Sequence, residues 1–240
     1  MEIEVLRADY RDVAAMREAY RAEARCQIVH DSALSRGIAD PYVIRVQGRA
    51  AGYAGVWNEY FAGRVMEFHT APDARRLARA MFRELLTASA ATHIEAQTNM
   101  PLMLAMLRAH ALDIREENIL FEDGCATDLR CPGGMFRRAT RGDLGPEGEW
   151  VIDLDGRIVA AGGVLRHYNP PYGDIYMEVS ESARRQGFGS YLVQELKRVC
   201  RAAGNEPAAR CDPSNVASRR TLEKAGFVVC GRLLAGEVRR

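Results

Sequence analysis

Arg184-Arg185-Gln186-Gly187-Phe188-Gly189 follows a short apolar run, Ile175-Tyr176-Met177-Glu178-Val179, and opens a stretch whose apolar residues are regularly spaced. Phe188, Tyr191, Leu192, Leu196 and Val199 fall at i, i+3, i+4, i+8 and i+11, which is one face of a helix. The hexapeptide is therefore a strand-to-helix turn. A glycine-rich turn feeding a helix N-terminus presents unpaired backbone N–H groups, and the helix dipole favours negative charge there. Gly187 and Gly189 lack a Cβ, so a phosphate can approach the main chain closely. These residues make a diphosphate cradle, with Arg184 and Arg185 adding charge at its rim. It is not a Walker loop, because no Lys-Ser/Thr follows the glycines, and its glycine spacing is not that of a dinucleotide fingerprint.

Further along lies Asp212-Pro213-Ser214-Asn215-Val216-Ala217-Ser218-Arg219-Arg220-Thr221-Leu222-Glu223-Lys224-Ala225-Gly226-Phe227. Asp212 or Ser214 is expected to cap a helix here, and Gly226 to stop it in the left-handed conformation, with Phe227 packing back on the last turn. With Val179 and the cradle, this segment resembles the GNAT superfamily of N-acetyltransferases. Their signature strand ends in an apolar residue followed by Arg/Gln-x-x-Gly-x-Gly/Ala. A later helix reads Asn-x-x-Ser-x-x-x-(Leu/Tyr)-Glu-Lys-x-Gly-Phe. The resemblance covers residues 149–240. It implies acetyl-CoA as co-substrate and no metal. The backbone of Met177, Glu178 and Val179 would hold the pantetheine arm. The amides of Arg184, Arg185, Gln186, Gly187, Phe188 and Gly189 would hold the diphosphate. Asn215 would contact the pantetheine or diphosphate region, and Ser218 would lie near the thioester sulfur.

The pattern departs from the family in three places. Many relatives carry a Tyr before the Glu-Lys, where it protonates the leaving thiolate; here that position is Leu222. The acid is absent, replaced by Ser218, or supplied by another group or water, and a thiolate needs only modest help. For the base, a carboxylate or water relay is expected near the same strand, where Glu178 and Asp174 stand; Glu178 reads equally as a solvent-facing or arginine-paired residue. His167, the nearest histidine, reads as a strand end. Lastly, between the opening strand near Met135 and the strand at Trp150 there is no room for the two helices that usually wall the acceptor site. The resemblance thus implies that the N-terminal part supplies that wall.

The rest of the chain repeats the same order. Strands are expected over 42–46, 50–57, 64–70 and 114–122, with helices over 73–90 and 99–111, after a first helix capped by Asp9. The second copy reads as strands over 149–154, 158–167, 174–179 and 228–234, with helices over 187–203 and 215–225. The turn glycines Gly48 and Gly156 are 108 residues apart, as are Gly55 and Gly163, and Met66-Glu67-Phe68 stands 111 residues before Met177-Glu178-Val179. The fold expected is α/β (α+β): two tandem GNAT-like domains, each a mostly antiparallel mixed sheet flanked by helices. Residues 1–123 form a degenerate copy, 124–148 a Gly- and Pro-rich linker with the opening strand, and 149–240 the domain that binds acetyl-CoA. In the first copy Asp73-Ala74-Arg75-Arg76-Leu77-Ala78 replaces the cradle without a glycine, so no CoA is expected there; a different ligand is the alternative.

Across 240 residues, 33 Lys and Arg nearly balance 32 Asp and Glu, a net charge of +1, so no global field draws nucleic acid or an anionic membrane. No apolar run approaches the ~20 residues of a membrane span, and a cytoplasmic location is expected. The six cysteines form no CxxC and read as small core or surface residues. The expected activity is transfer of an acetyl group from acetyl-CoA to a primary amine of a small molecule or peptide, by direct attack in a ternary complex. The protein would act as a monomer or homodimer, with Glu178 and Ser218 as catalytic candidates. The alternative is a non-catalytic acyl-CoA-binding regulatory module.

Overall fold

The computed structural model describes residues 2–23, 31–166 and 170–239; Cys26 and His167 lie outside them. The chain forms two compact units. The first holds Met1–Asn118 and Gly231–Arg240, the second Ile119–Cys230.

The first unit runs β1 (Ile3–Arg7), α1 (Tyr10–Ala22), α2 (Asp31–Ser35), β2 (Ala39–Val46), β3 (Arg49–Trp57), β4 (Arg64–Thr70), α3 (Ala78–Ala88), β5 (His93–Gln97), α4 (Pro101–His110) and the first part of β6 (Ala111–Asp123). The second continues β6 and adds β7 (Met135–Arg138), β8 (Trp150–Leu154), β9 (Arg157–Leu165), β10 (Tyr172–Val179), α5 (Phe188–Ala202), β11 (Glu206–Cys211), α6 (Val216–Lys224) and the start of β12 (Phe227–Val238). The end of β12 belongs to the first unit, where Leu233 to Glu237 pair with β5.

Within each unit the strand pairs are antiparallel except one, β4/β5 in the first and β10/β11 in the second. Hairpin, strand, helix, strand, helix, strand therefore occurs twice. The two hairpins share local detail. Gln47-Gly48 and Asp155-Gly156 both have positive φ at each residue, the geometry of the two-residue turn that matches strand twist. The ladder slips between Ile44 and Arg45 in one and between Ile152 and Asp153 in the other, again 108 residues apart. A bulge kept at the same step points to one backbone plan used twice.

The cores follow the apolar stripes. In the first unit Phe68 and Phe82 meet edge to face at 4.9 Å beside buried Met81, Leu85 and Ile94. In the second, Phe188, Leu192 and Leu196 of α5 pack on Phe121, Ile152 and Phe227.

Several local expectations change. The helix expected from Asp73 starts as a 3-10 turn, Pro72–Leu77, and becomes α-helical at Ala78. Strands β1, β5 and β11 and helix α2 have no counterpart in the sequence reading. β5 carries Glu95 and Gln97, both buried, and Glu95 Oε2 lies 3.2 Å from Arg64. The segment 124–148 belongs to the second unit, and the division between units falls inside β6 and β12, not in that segment. Buried Lys197 and Gln194 of α5 fasten its beginning. Lys197 donates to the Cys125 carbonyl at 2.7 Å, while the Gln194 carboxamide accepts from the Leu129 N–H at 2.6 Å and donates to its carbonyl at 3.2 Å. No described helix is long and apolar enough to cross a membrane.

Candidate functional site

Two registers on the same strand create the site. β10 pairs with β9 as far as Val179, but with parallel β11 only over Tyr172–Asp174. Beyond Asp174 the parallel strands part, and one edge of β10 is left unpaired to β11. A cleft of about 870 Å³ opens there, bounded by the end of β10, the following loop, the start of α5 and one face of α6. Met177, Glu178, Val179, Arg184, Arg185, Gly187, Gly189, Asn215 and Ser218 all line it. Gln186 and Phe188 do not. Gln186 Nε2 donates to the Ser182 carbonyl at 2.9 Å, and Phe188 is buried in the core.

The loop follows a backbone path with two left-handed residues. Gly187, the residue before α5, has φ +97°, and Arg185 has φ +62°. Positive φ is unfavourable for an arginine, and such residues persist where the surroundings hold them, often at ligand clamps. Arg184 Nε donates to the Val179 carbonyl at 3.3 Å and ties the loop to the strand end. The first-turn amides of α5 have no partner within the helix. A Cβ on Gly189 would stand 3.2 Å from both Thr221 and Val179, so glycine keeps this corner of the cleft clear.

Helix α6 is capped by Asn215, whose Oδ1 accepts from the Ser218 N–H at 2.9 Å. This corrects the expected cap. Asp212 instead accepts from the Ser214 N–H and hydroxyl at 2.7 and 2.5 Å, closing the turn before the helix. Those two bonds hold the Asp212 carboxyl below the usual carboxylate range. Gly226 stops the helix with φ +84°, and Phe227 is buried. Leu222 is also buried and does not line the cleft. Ser218 is half-buried at the cleft wall.

Four cationic side chains line the cleft, Arg184, Arg185, Arg220 and Lys224, against one acid, the exposed Glu178. The other carboxylate on the strand, Asp174, sits where β10 and β11 part. It is 5% exposed; its Oδ2 lies 3.3 Å from Arg210 Nε and its Oδ1 has no hydrogen-bond partner. Burial pushes its pKa up to about 6, against the pull of Arg210. Sequence reasoning placed Asp174 on the strand without its burial, and passed over Arg220 and Lys224, whose i, i+4 spacing beside Ala217 marks one helix face.

This splayed parallel pair above an amide cradle can be set beside known proteins. Residues 117–227 match the family model described as acetyltransferase (GNAT) family. That match assigns a GNAT acetyltransferase domain to this part of the chain. Among solved structures, a GNAT-family acetyltransferase from Colwellia psychrerythraea superposes with a TM-score of 0.74 at 15% identity, covering 100% of both chains. A tandem GNAT protein from the clavulanic acid biosynthesis pathway gives 0.63 at 16% identity over 100% of this chain and 99% of that one. A GCN5-related N-acetyltransferase from Sphaerobacter thermophilus gives 0.62 at 16% identity over 99% and 96%. At such identities these likenesses establish the fold, the tandem GNAT arrangement. No curated protein sequence matches the chain.

Proposed function

We propose that the second unit binds acetyl-CoA and transfers its acetyl group directly to a primary amine in a ternary complex. The observation that carries this reading is the edge of β10 left unpaired to β11, which borders the same cleft as the loop before α5. An extended pantetheine arm fits the edge formed by Met177, Glu178 and Val179 as an added strand, and the diphosphate fits the amides of the Arg184–Gly189 loop. Asn215 spends its Oδ1 on the helix cap, which leaves its amide N–H groups for the donor.

The amine attacks the thioester carbonyl, the carbon–sulfur bond breaks, and the proton lost by the amine goes to a carboxylate. Glu178 at the cleft wall is one acceptor. Asp174, buried where β10 and β11 part and outside the cleft lining, is the other, through a water relay, and its raised pKa suits the task, since a base works best when its pKa lies near the working pH. With Leu222 where a phenol would stand, the donor to the departing sulfur in this reading is the hydroxyl of Ser218, which lines the cleft. The first unit is proposed to hold no donor. There Asp73-Ala74-Arg75-Arg76-Leu77-Ala78 stands in place of the cradle without a glycine, and Ala74 and Ala78 are buried.

A non-catalytic acyl-CoA-binding module is the second reading, favoured by the buried Leu222. Thiol release from acetyl-CoA over a panel of amines separates the two. Transfer predicts release with at least one amine and its loss in Gly189→Val, whose side chain fills the cleft corner. Tight CoA binding with no release for any amine would sink the enzyme reading.

A further inference from the structure

The cleft holds more positive charge than a diphosphate cradle made of amides requires. Arg220 and Lys224 stand one turn apart on α6, roughly 6 Å along the axis, and both face the cleft. Neither has a hydrogen-bond or ion-pair partner among the described residues. The contrast with their neighbour is direct, since Arg219 is tied to Glu223 at 2.8 Å on the outer face. The position of these two cations relative to the cradle follows from packing. A Cβ on Gly189 would stand 3.2 Å from Thr221 Cγ2, so this turn of α6 abuts the first turn of α5. Arg185, also without a partner and held at positive φ, projects from the loop on the same cleft.

Three exposed cations without carboxylate partners among the described residues, opposed in the cleft by Glu178 alone, leave a positive wall beside the cradle that attracts an anion. A dianionic phosphomonoester next to the diphosphate is such an anion, and the arginines offer the forked donors that suit phosphate oxygens. We propose that Arg220, Lys224 and Arg185 form a phosphomonoester subsite that reads the 3′-phosphate on the ribose of the donor, so that the protein selects CoA over its 3′-dephosphorylated form. This rests on the donor-site reading above. The backbone cradle and the β10 edge would hold the shared part of both molecules, and the three cations would supply the difference.

The test is calorimetric titration of the full chain with CoA and with 3′-dephospho-CoA, repeated on the exposed double variant Arg220→Gln/Lys224→Gln after its melting temperature is matched to the parent. The expected result is at least 10-fold tighter binding of CoA by the parent. In the variant that ratio falls to within about 3-fold, with affinity for the dephospho form nearly unchanged. Rising salt should shrink the ratio in the parent, as for any exposed charge pairing. Equal affinities in the parent overturn the subsite while leaving the donor site standing. A variant that loses both affinities in proportion also overturns it, since the cations then serve the diphosphate. Failure of the parent to bind either molecule removes the donor-site reading itself. If the double variant does not fold, the parent's two affinities and the single variant Arg220→Gln still decide the matter.

Discussion

Asp174 carries a cost set by its burial. A carboxyl ordinarily titrating near 3.8 is pushed up to about 6 by burial, so the folded state holds its proton longer than the unfolded chain does. Between those two values the folded state binds more protons, and stability falls as pH rises through that window. Asp174→Asn removes the penalty: the variant should gain up to about 3 kcal/mol over the parent at pH 7.5 and almost nothing at pH 4. If Asp174 is also the base, kcat/KM for acetyl transfer should rise through about pH 6 in the parent and fall at least tenfold in the variant with loss of that limb. A variant that is stabilised yet keeps the full pH profile would assign the base to Glu178. None of this was legible in the sequence, where Asp174 and Glu178 are two acids on one strand; which is buried depends on the strands around them. Gly226 is the opposite case: its place after the helix pattern announced the left-handed conformation, and it has φ +84°.

At the scale of elements, α5 is the part on which the site depends, because one end supplies the cradle and its length carries the core. Its buried Lys197 bonds the carbonyls of Cys125 and Ala225 at 2.7 and 2.8 Å, pairs with Asp123 at 2.8 Å and lies 4.9 Å from the Phe227 ring. Lys197→Met keeps the aliphatic volume and leaves those acceptors unpaired in the interior. A loss of about 3 kcal/mol is expected. The two tryptophans make this measurable, since Trp150 alone reports on the second unit once Trp57 is replaced by Phe. A urea midpoint unchanged from that parent would mean the strap from 124 onward is not held by Lys197. Elements with strong periodicity, α3, α5 and α6, were readable because one face must bury its apolar stripe. β5 and β11 were not, because short strands buried in a mixed sheet lose the alternation that marks a half-exposed strand.

For the whole molecule, the chain's last residues complete the first unit. Leu233 to Glu237 pair with β5, and Leu233 and Ala235 are buried there. Deleting 231–240 should strip protection from the amides of His93–Gln97 in hydrogen exchange. It should also lower the melting temperature of the first unit, followed through Trp57 in a Trp150→Phe background, by at least about 10 °C. An unaltered exchange pattern at β5 would show that the strand contributes little.

The chain's own order of residues was enough to show two copies of one plan, because turn glycines and apolar stripes act locally and recur at fixed offsets. It also located the glycine turn that lines the cleft, since a turn feeding a helix N-terminus is set by the residues of the turn and helix themselves. Tertiary structure settled which cations stay unpaired in the cleft, which carboxylate is buried, and which unit owns the final strand. Those properties depend on partners distant in sequence, and no local pattern encodes them.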